Sequence, residues 1–162
     1  MKSARAPAIL GLFALLTACG AEPPAPVAAR AYADPGVVVG SGHEMRYGIV
    51  PMADIPAPVR RAYGLTGNAD GLLVNVSVLQ RNAAGQAGTS VESRVSGSVR
   101  RLTGQDSPLE FQVIRTGETV SYIAQAPLHD REPVTFLLEA TPLQSSSGMS
   151  ARVVRQFERA RR

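Results

Sequence analysis

Asp70-Gly71-Leu72-Leu73-Val74-Asn75-Val76-Ser77-Val78-Leu79 decides the fold. Successive side chains on a strand point to opposite faces. Leu72, Val74, Val76 and Val78 therefore share one apolar face, and Leu73, Asn75, Ser77 and Leu79 share the other. Period-two alternation behind an Asp-Gly turn reads as a β-strand and not as a helix.

The same period recurs on both sides. Upstream, Met45, Tyr47 and Ile49 alternate with Glu44, Arg46 and Gly48, and Pro51 ends that strand. Val37-Val38-Val39 reads as a short edge strand before it. Downstream, Asn82 to Gly88 is a polar, glycine-containing hairpin loop. Val91, Val95 and Val99 share parity on a third strand. Gly97 lies among them, where a glycine predicts a bulge or a close backbone approach. Leu109, Phe111 and Val113 begin a fourth strand, and Thr116-Gly117 turns it into a fifth with Val120, Tyr122 and Ala124. Val134, Phe136, Leu138 and Ala140 form a sixth. A Ser-rich loop from Pro142 to Gly148 leads to a seventh with Met149, Ala151, Val153 and Phe157. One segment breaks the pattern. Asp54 offers a cap, Pro56 and Pro58 suit a first helical turn, Val59 and Tyr63 are one turn apart, and Gly64 is a stop, so Ile55 to Tyr63 reads as a short helix.

These spacings predict an all-β protein. The expected architecture is an immunoglobulin-like antiparallel β-sandwich of about seven strands, with one short helix between the first two. A small open barrel is the second expectation. Phe111, Tyr122 and Phe136 are expected core residues.

The N-terminal residues point to an address. Lys2 and Arg5 precede an uncharged run from Ala8 to Leu16, too short to span a bilayer, which needs about 20 residues. Leu16-Thr17-Ala18-Cys19 resembles the lipobox of bacterial lipoproteins. That resemblance implies cleavage before Cys19 and acylation of its thiol. Cys19 is the only cysteine, so an internal disulfide is excluded, and a lone exported thiol is an oxidation liability unless something consumes it. Residues 1–18 are then a signal peptide, and 19–42 a lipidated cysteine with an Ala/Pro/Gly-rich tether. Residues 43–158 are the β-sandwich domain and 159–162 a basic tail. Anchoring is expected on the periplasmic side of the cell envelope. Gly20 rather than Asp after the cysteine points to the outer membrane more than the inner.

Composition narrows the partners. Lys2 is the only lysine, so the mature chain carries fifteen arginines against thirteen acidic residues, a balance of about +2. Neither that balance nor export suits nucleic acid. The expected partners are the membrane, reached through the N-terminal lipid, and an envelope protein or glycan.

Several segments occur in an order that resembles a known family. They are Tyr47, Val59-Arg60-Arg61-Ala62-Tyr63-Gly64-Leu65, Gly71 to Leu79, Val95-Ser96-Gly97-Ser98, Leu102-Thr103-Gly104-Gln105, Leu109-Glu110-Phe111 and Ser121-Tyr122-Ile123-Ala124. Across about residues 45 to 158 the chain is similar to domain-of-unknown-function family 4426, small exported proteobacterial proteins. Gly48 departs from the asparagine that often follows the first tyrosine there. The resemblance implies the domain limits and an all-β fold. It implies no activity and carries over no catalytic residue.

The residues themselves offer little catalytic chemistry. There is no G-x-S-x-G turn, and Ser96-Gly97-Ser98 reads as strand. His43 and His129 each sit beside an acid, Glu44 and Asp130, but strand neighbours face opposite ways. No metal-ligand spacing and no phosphate-binding glycine loop is present, so neither a metal nor another cofactor is expected. Glu110 and Glu118 flank a hairpin where carboxylates of two strands meet, yet like charges in register repel. The expectation is a non-catalytic binding or assembly module. The alternatives are a hydrolase with a site assembled from scattered residues and a carrier of a small apolar ligand. The candidate binding residues are the polar members of the segments above: Asn75 and Ser77 on one strand face, and Arg101 and Gln105 around a loop leaving the third strand. Loops on a rigid β scaffold commonly carry binding groups.

Overall fold

The computed structural model describes residues 36–65, 70–129 and 131–158. The expected signal segment, Cys19, the expected tether as far as residue 35, Asp130 and the expected basic tail lie outside the described residues.

Ten strands form: β1 Gly36–Gly40, β2 His43–Pro51, β3 Gly71–Arg81, β4 Ala87–Ser90, β5 Ser93–Arg100, β6 Asp106–Pro108, β7 Gln112–Thr116, β8 Thr119–Pro127, β9 Pro133–Pro142 and β10 Met149–Gln156. Each pairing is antiparallel. The first sheet has the order β1-β2-β3-β8-β7, with β4 also beside β3. The second has the order β10-β9-β5-β6. The chain is thus an all-β antiparallel sandwich. The seven expected strands correspond to β2, β3, β5, β7, β8, β9 and β10, and the Val37–Val39 edge strand is β1. β4 and β6 had no period-two signal, because Ala-Gly-Thr-Ser and Asp-Ser-Pro bury no apolar face and are held by ladder hydrogen bonds and by the polar side chains of Ser90 and Asp106.

β3 organises the first sheet. It pairs with β2 along its length, from His43 opposite Gln80 to Pro51 opposite Leu72. On its other side β8 covers Gly71 to Val76, and β4 takes over at Leu79 and Arg81. Ser90 closes the gap where the partner changes: its hydroxyl donates to the Val120 carbonyl and accepts from the Val120 amide, both at 2.9 Å.

The apolar faces meet between the sheets. Met45, Leu72, Val74, Val76, Val78, Tyr122 and Ala124 come from the first sheet. Val99, Val134, Phe136, Leu138, Ala140 and Val153 come from the second. Phe136 is fully buried and Tyr122 nearly so, while Phe111 packs on the margin of this core. The Tyr122 hydroxyl accepts the Ser93 amide at 2.6 Å, tying β8 to the start of β5 in the opposite sheet.

Three sequence expectations change in detail. The short helix is α1, Ala57–Ala62, preceded by a 3-10 turn at Met52–Asp54. Pro56, not Asp54, stands at its N-cap, and Gly64 stops it with a positive φ of 64°. The fourth strand begins at Gln112 rather than Leu109. Leu109 is instead buried, its amide donating to the Gly97 carbonyl at 2.9 Å, because the chain crosses from the second sheet to the first there. The second and third predicted strands form no hairpin with each other. The turn at Asn82–Gln86 joins β3 to β4, and β5 then opens the other sheet.

The first sheet also has a second, smaller core on its outer face. Met52, Ile55 and Leu65 pack there on Ile123, with Leu73, Val50 and Ile114 around them. This is why Leu73 and Ile123, on the face opposite Val74, are apolar.

Candidate functional site

The four candidate binding residues fall into two places. Asn75 and Ser77 lie on the outer face of the first sheet, opposite Gly48 and Arg46. Asn75 is exposed and Ser77 half-buried. Nothing stands within 4 Å of where a side chain on Gly48 would begin, so the face is open there. Arg101 and Gln105 belong to the second sheet, at the ends of the β5–β6 turn. The Arg101 amide donates to the Gln105 carbonyl at 3.2 Å, and the Gly104 amide donates to the Arg101 carbonyl at 2.9 Å. The fold does not bring the two pairs together.

The β5–β6 turn is held more firmly than its short strands require. Below it, Arg100 clasps Asp106 with two hydrogen bonds, Nε to Oδ1 at 2.6 Å and Nη2 to Oδ2 at 2.7 Å. Beside it, Arg101 Nη2 donates to Glu132 Oε2 at 3.2 Å, and the Leu102 amide donates to Glu132 Oε1 at 3.4 Å. Glu132 reaches over from the β8–β9 loop. The Arg101 guanidinium holds the Glu132 carboxyl below its usual range, with smaller contributions from the Leu102 amide and His129. Arg101 Nε is buried without a hydrogen-bond partner in the structure.

The β8–β9 loop is fixed in turn by the last strand. The Arg131 amide donates to the Phe157 carbonyl at 2.9 Å, and Gln156 Nε2 donates to the Arg131 carbonyl at 3.0 Å. Arg131 has φ 57°, the only described non-glycine residue with a positive φ. A non-glycine residue persists there only where its surroundings over-determine it. Residues 101–105, 131–132 and 156–157 therefore form one braced end of the sandwich.

What this end presents outward is Leu102, which is 72% exposed. An apolar side chain at a clamped hairpin tip, flanked by Arg101 and Gln105, forms an anchor with a polar rim. Sequence reasoning reached Arg101 and Gln105 and passed over Leu102 and Glu132. A leucine between Arg101 and Thr103 in a turn was the available signal for the first. Glu132 had none, because its partner is distant in the chain.

Two other arrangements were considered from sequence. Glu110 and Glu118 lie at opposite ends of β7, about 20 Å apart by strand rise, and do not meet. His43 begins β2 opposite Gln80, whereas His129 follows β8, whose Pro127 lies opposite Gly71. The length of β3 separates the histidines by about 30 Å. Among the described residues no three His, Cys, Asp or Glu side chains stand together as a metal site. A groove of about 270 Å³ opens where the β7–β8 ladder ends, lined by Pro108, Glu110, Gln112, Ile123 and Gln125 among others.

The pattern of one sequence family, described as Domain of unknown function (DUF4426), matches residues 40–157. The chain belongs to this family. A solved DUF4426 family protein from Pseudomonas aeruginosa PAO1 is 21% identical. It covers 78% of this chain and 97% of its own length, at a TM-score of 0.66. FetP of uropathogenic Escherichia coli strain F11 is similar at 11% identity and TM-score 0.52, covering 77% of this chain and 95% of FetP. A copper-bound FetP variant gives 14%, 0.50, 76% and 94%. At these identities the likenesses show the sandwich and nothing of a ligand. No curated protein matches the chain.

Proposed function

We propose that this DUF4426 protein is a lipid-anchored envelope protein whose β-sandwich is a non-catalytic binding or assembly module. Its contact surface is the braced end around Leu102. The observation that carries this reading is the exposure of Leu102 on a turn clamped by Glu132 and by the Arg100–Asp106 pair. A side chain on a rigid turn loses little conformational entropy on binding, and a few residues that become fully buried carry most of an interface's binding energy. Arg101 and Gln105 supply donors and an acceptor at its rim. The partner class this fits is another envelope protein. Asn75 and Ser77, on a different sheet, are not part of this surface.

The copper in one FetP structure does not extend to this reading. The histidines here lie at opposite ends of β3, too far apart for one ion. The hydrolase and carrier alternatives gain no support from a specific observation.

The anchor and the surface have separate tests. Cys19→Ser should abolish incorporation of a clickable fatty acid and leave unprocessed precursor. Label retained on that variant would end the lipoprotein reading. For the surface, a photo-crosslinking residue at Thr103 should capture a discrete partner in intact cells. Leu102→Ser should abolish that adduct while leaving the melting temperature unchanged. An undiminished adduct in Leu102→Ser would reject the surface.

A further inference from the structure

Half of the exposed large apolar side chains among the described residues lie on one side of the molecule. β1 places Val37 opposite Arg46 and Val39 opposite Glu44, on the outer face of the first sheet, where they are 51% and 53% exposed. The segment covering the other part of that face buries Met52, Ile55 and Leu65. α1 buries none of its residues and leaves Val59 and Tyr63 each 40% exposed. Val59 and Tyr63 are four apart, one above the other on a helix, with Arg60 and Arg61 beside them.

Arginines outnumber carboxylates on this side: Arg46, Arg60 and Arg61 stand with the exposed Asp54 before α1 and with Glu110 at the far edge. Arg60 Nη1 donates to the Met52 carbonyl at 2.8 Å, and Arg61 is exposed. Arg46 pairs with Glu44 at 2.6 Å, but the carboxylate lies beneath: the Glu44 side chain is 9% exposed and that of Arg46 46%. Solvent therefore meets the guanidinium. The outer face of the second sheet differs. Ser96, Glu139, Ser150, Arg94 and Arg152 make most of it, and Val154, 54% exposed, is its one large exposed apolar side chain among the described residues.

We propose that the outer side of the first sheet, led by α1, rests on a bilayer surface containing anionic phospholipid. This inference relies on the lipid-anchor reading above. Valine and tyrosine suit the boundary between headgroups and acyl chains, and arginine forks match phosphate oxygens. Such a face is too small to hold a free protein on a membrane. It does not need to, because a lipid on Cys19 confines the domain near the surface. The eighteen residues from Cys19 to Gly36 reach about 60 Å at most. Within that radius the effective concentration of membrane is high, and a weak contact sets orientation. The opposite geometry, with α1 turned away, would leave this apolar side in water.

The experiment compares single reporters on the two outer faces of the full-length, processed protein. Ala62→Cys puts an environment-sensitive fluorophore on α1, and Ser96→Cys puts it on the second sheet; both positions are exposed. The protein is reconstituted into vesicles of phosphatidylethanolamine and phosphatidylglycerol containing a spin-labelled lipid quencher. Quenching should be about threefold stronger at residue 62 than at residue 96. Adding Arg61→Glu and Tyr63→Ser should bring the two positions level. Equal quenching without those changes, or stronger quenching at residue 96, overturns the proposal. Intact mass reads the acyl chains separately. A protein without them ends the anchor reading; the face is then judged by the same comparison on a domain in which an N-terminal hexahistidine tag replaces residues 1–19 and holds it to nickel-chelating lipid in those vesicles.

Discussion

Tyr122 shows how much one atom can hold. Its ring fills core volume, and its hydroxyl meets a buried amide of the opposite sheet. Tyr122→Phe keeps the ring and strands the Ser93 amide, so it should cost about 1–3 kcal/mol in urea denaturation. A loss near zero would mean that water replaces the hydroxyl. Phe136→Ala should cost about 3–5 kcal/mol by the same measurement, because that side chain is fully enclosed. At Gly97 a Cβ would stand 2.6 Å from the Leu137 carbonyl oxygen. Backbone on the neighbouring strand cannot yield cheaply, so Gly97→Ala should destabilise by about 1–3 kcal/mol. Tyr122, Phe136 and the close approach at Gly97 were legible in the sequence, since each follows from strand parity. The hydroxyl's partner was not, because Ser93 lies in another sheet and parity says nothing about distance.

Among the elements, the β5–β6 hairpin is the one whose stability should respond to acid. Glu132 and Asp106 are both held below their usual values of 4.5 and 3.8, each chiefly by a hydrogen-bonded guanidinium. A carboxyl with a depressed folded value releases its proton more readily folded than unfolded. Its contribution is complete above the unfolded value and is lost as pH falls through the folded one. The melting temperature of the wild type should therefore decline below about pH 4.5. Glu132→Gln should lower the melting temperature at neutral pH and make the decline shallower. Parallel curves for the two proteins would show that the Arg101–Glu132 contact contributes nothing. The hairpin was half-visible beforehand: Gly104 and Asp106 marked a turn, but Asp-Ser-Pro gave no hint of β6. Elements that bury an apolar face write a pattern into the sequence, and elements held by ladder and polar side-chain hydrogen bonds do not.

For the whole molecule, the all-β class and seven of the strands followed from alternation, while the order of strands did not. Alternation states which side of a strand is buried. It does not state which of two sheets receives it, and so β3 and β5 were read as hairpin partners. The candidate site suffered in the same way, since Arg101 and Gln105 were local while Glu132 comes from a later loop and Gln156 from the last strand. That order of strands also governs when the sandwich can close. The first four strands make a local meander, but β5 has only the three-residue β6 beside it until β9 arrives, and β10 pairs only with β9. A chain delivered from its N terminus, by a ribosome or through a pore, has only the β5–β6 hairpin of its second layer until residue 142 has emerged. Until then Val74, Val76 and Val78 face water. Vectorial delivery thus keeps the polypeptide pliable over most of its length, and a copy ending before Pro133 should remain protease-sensitive throughout.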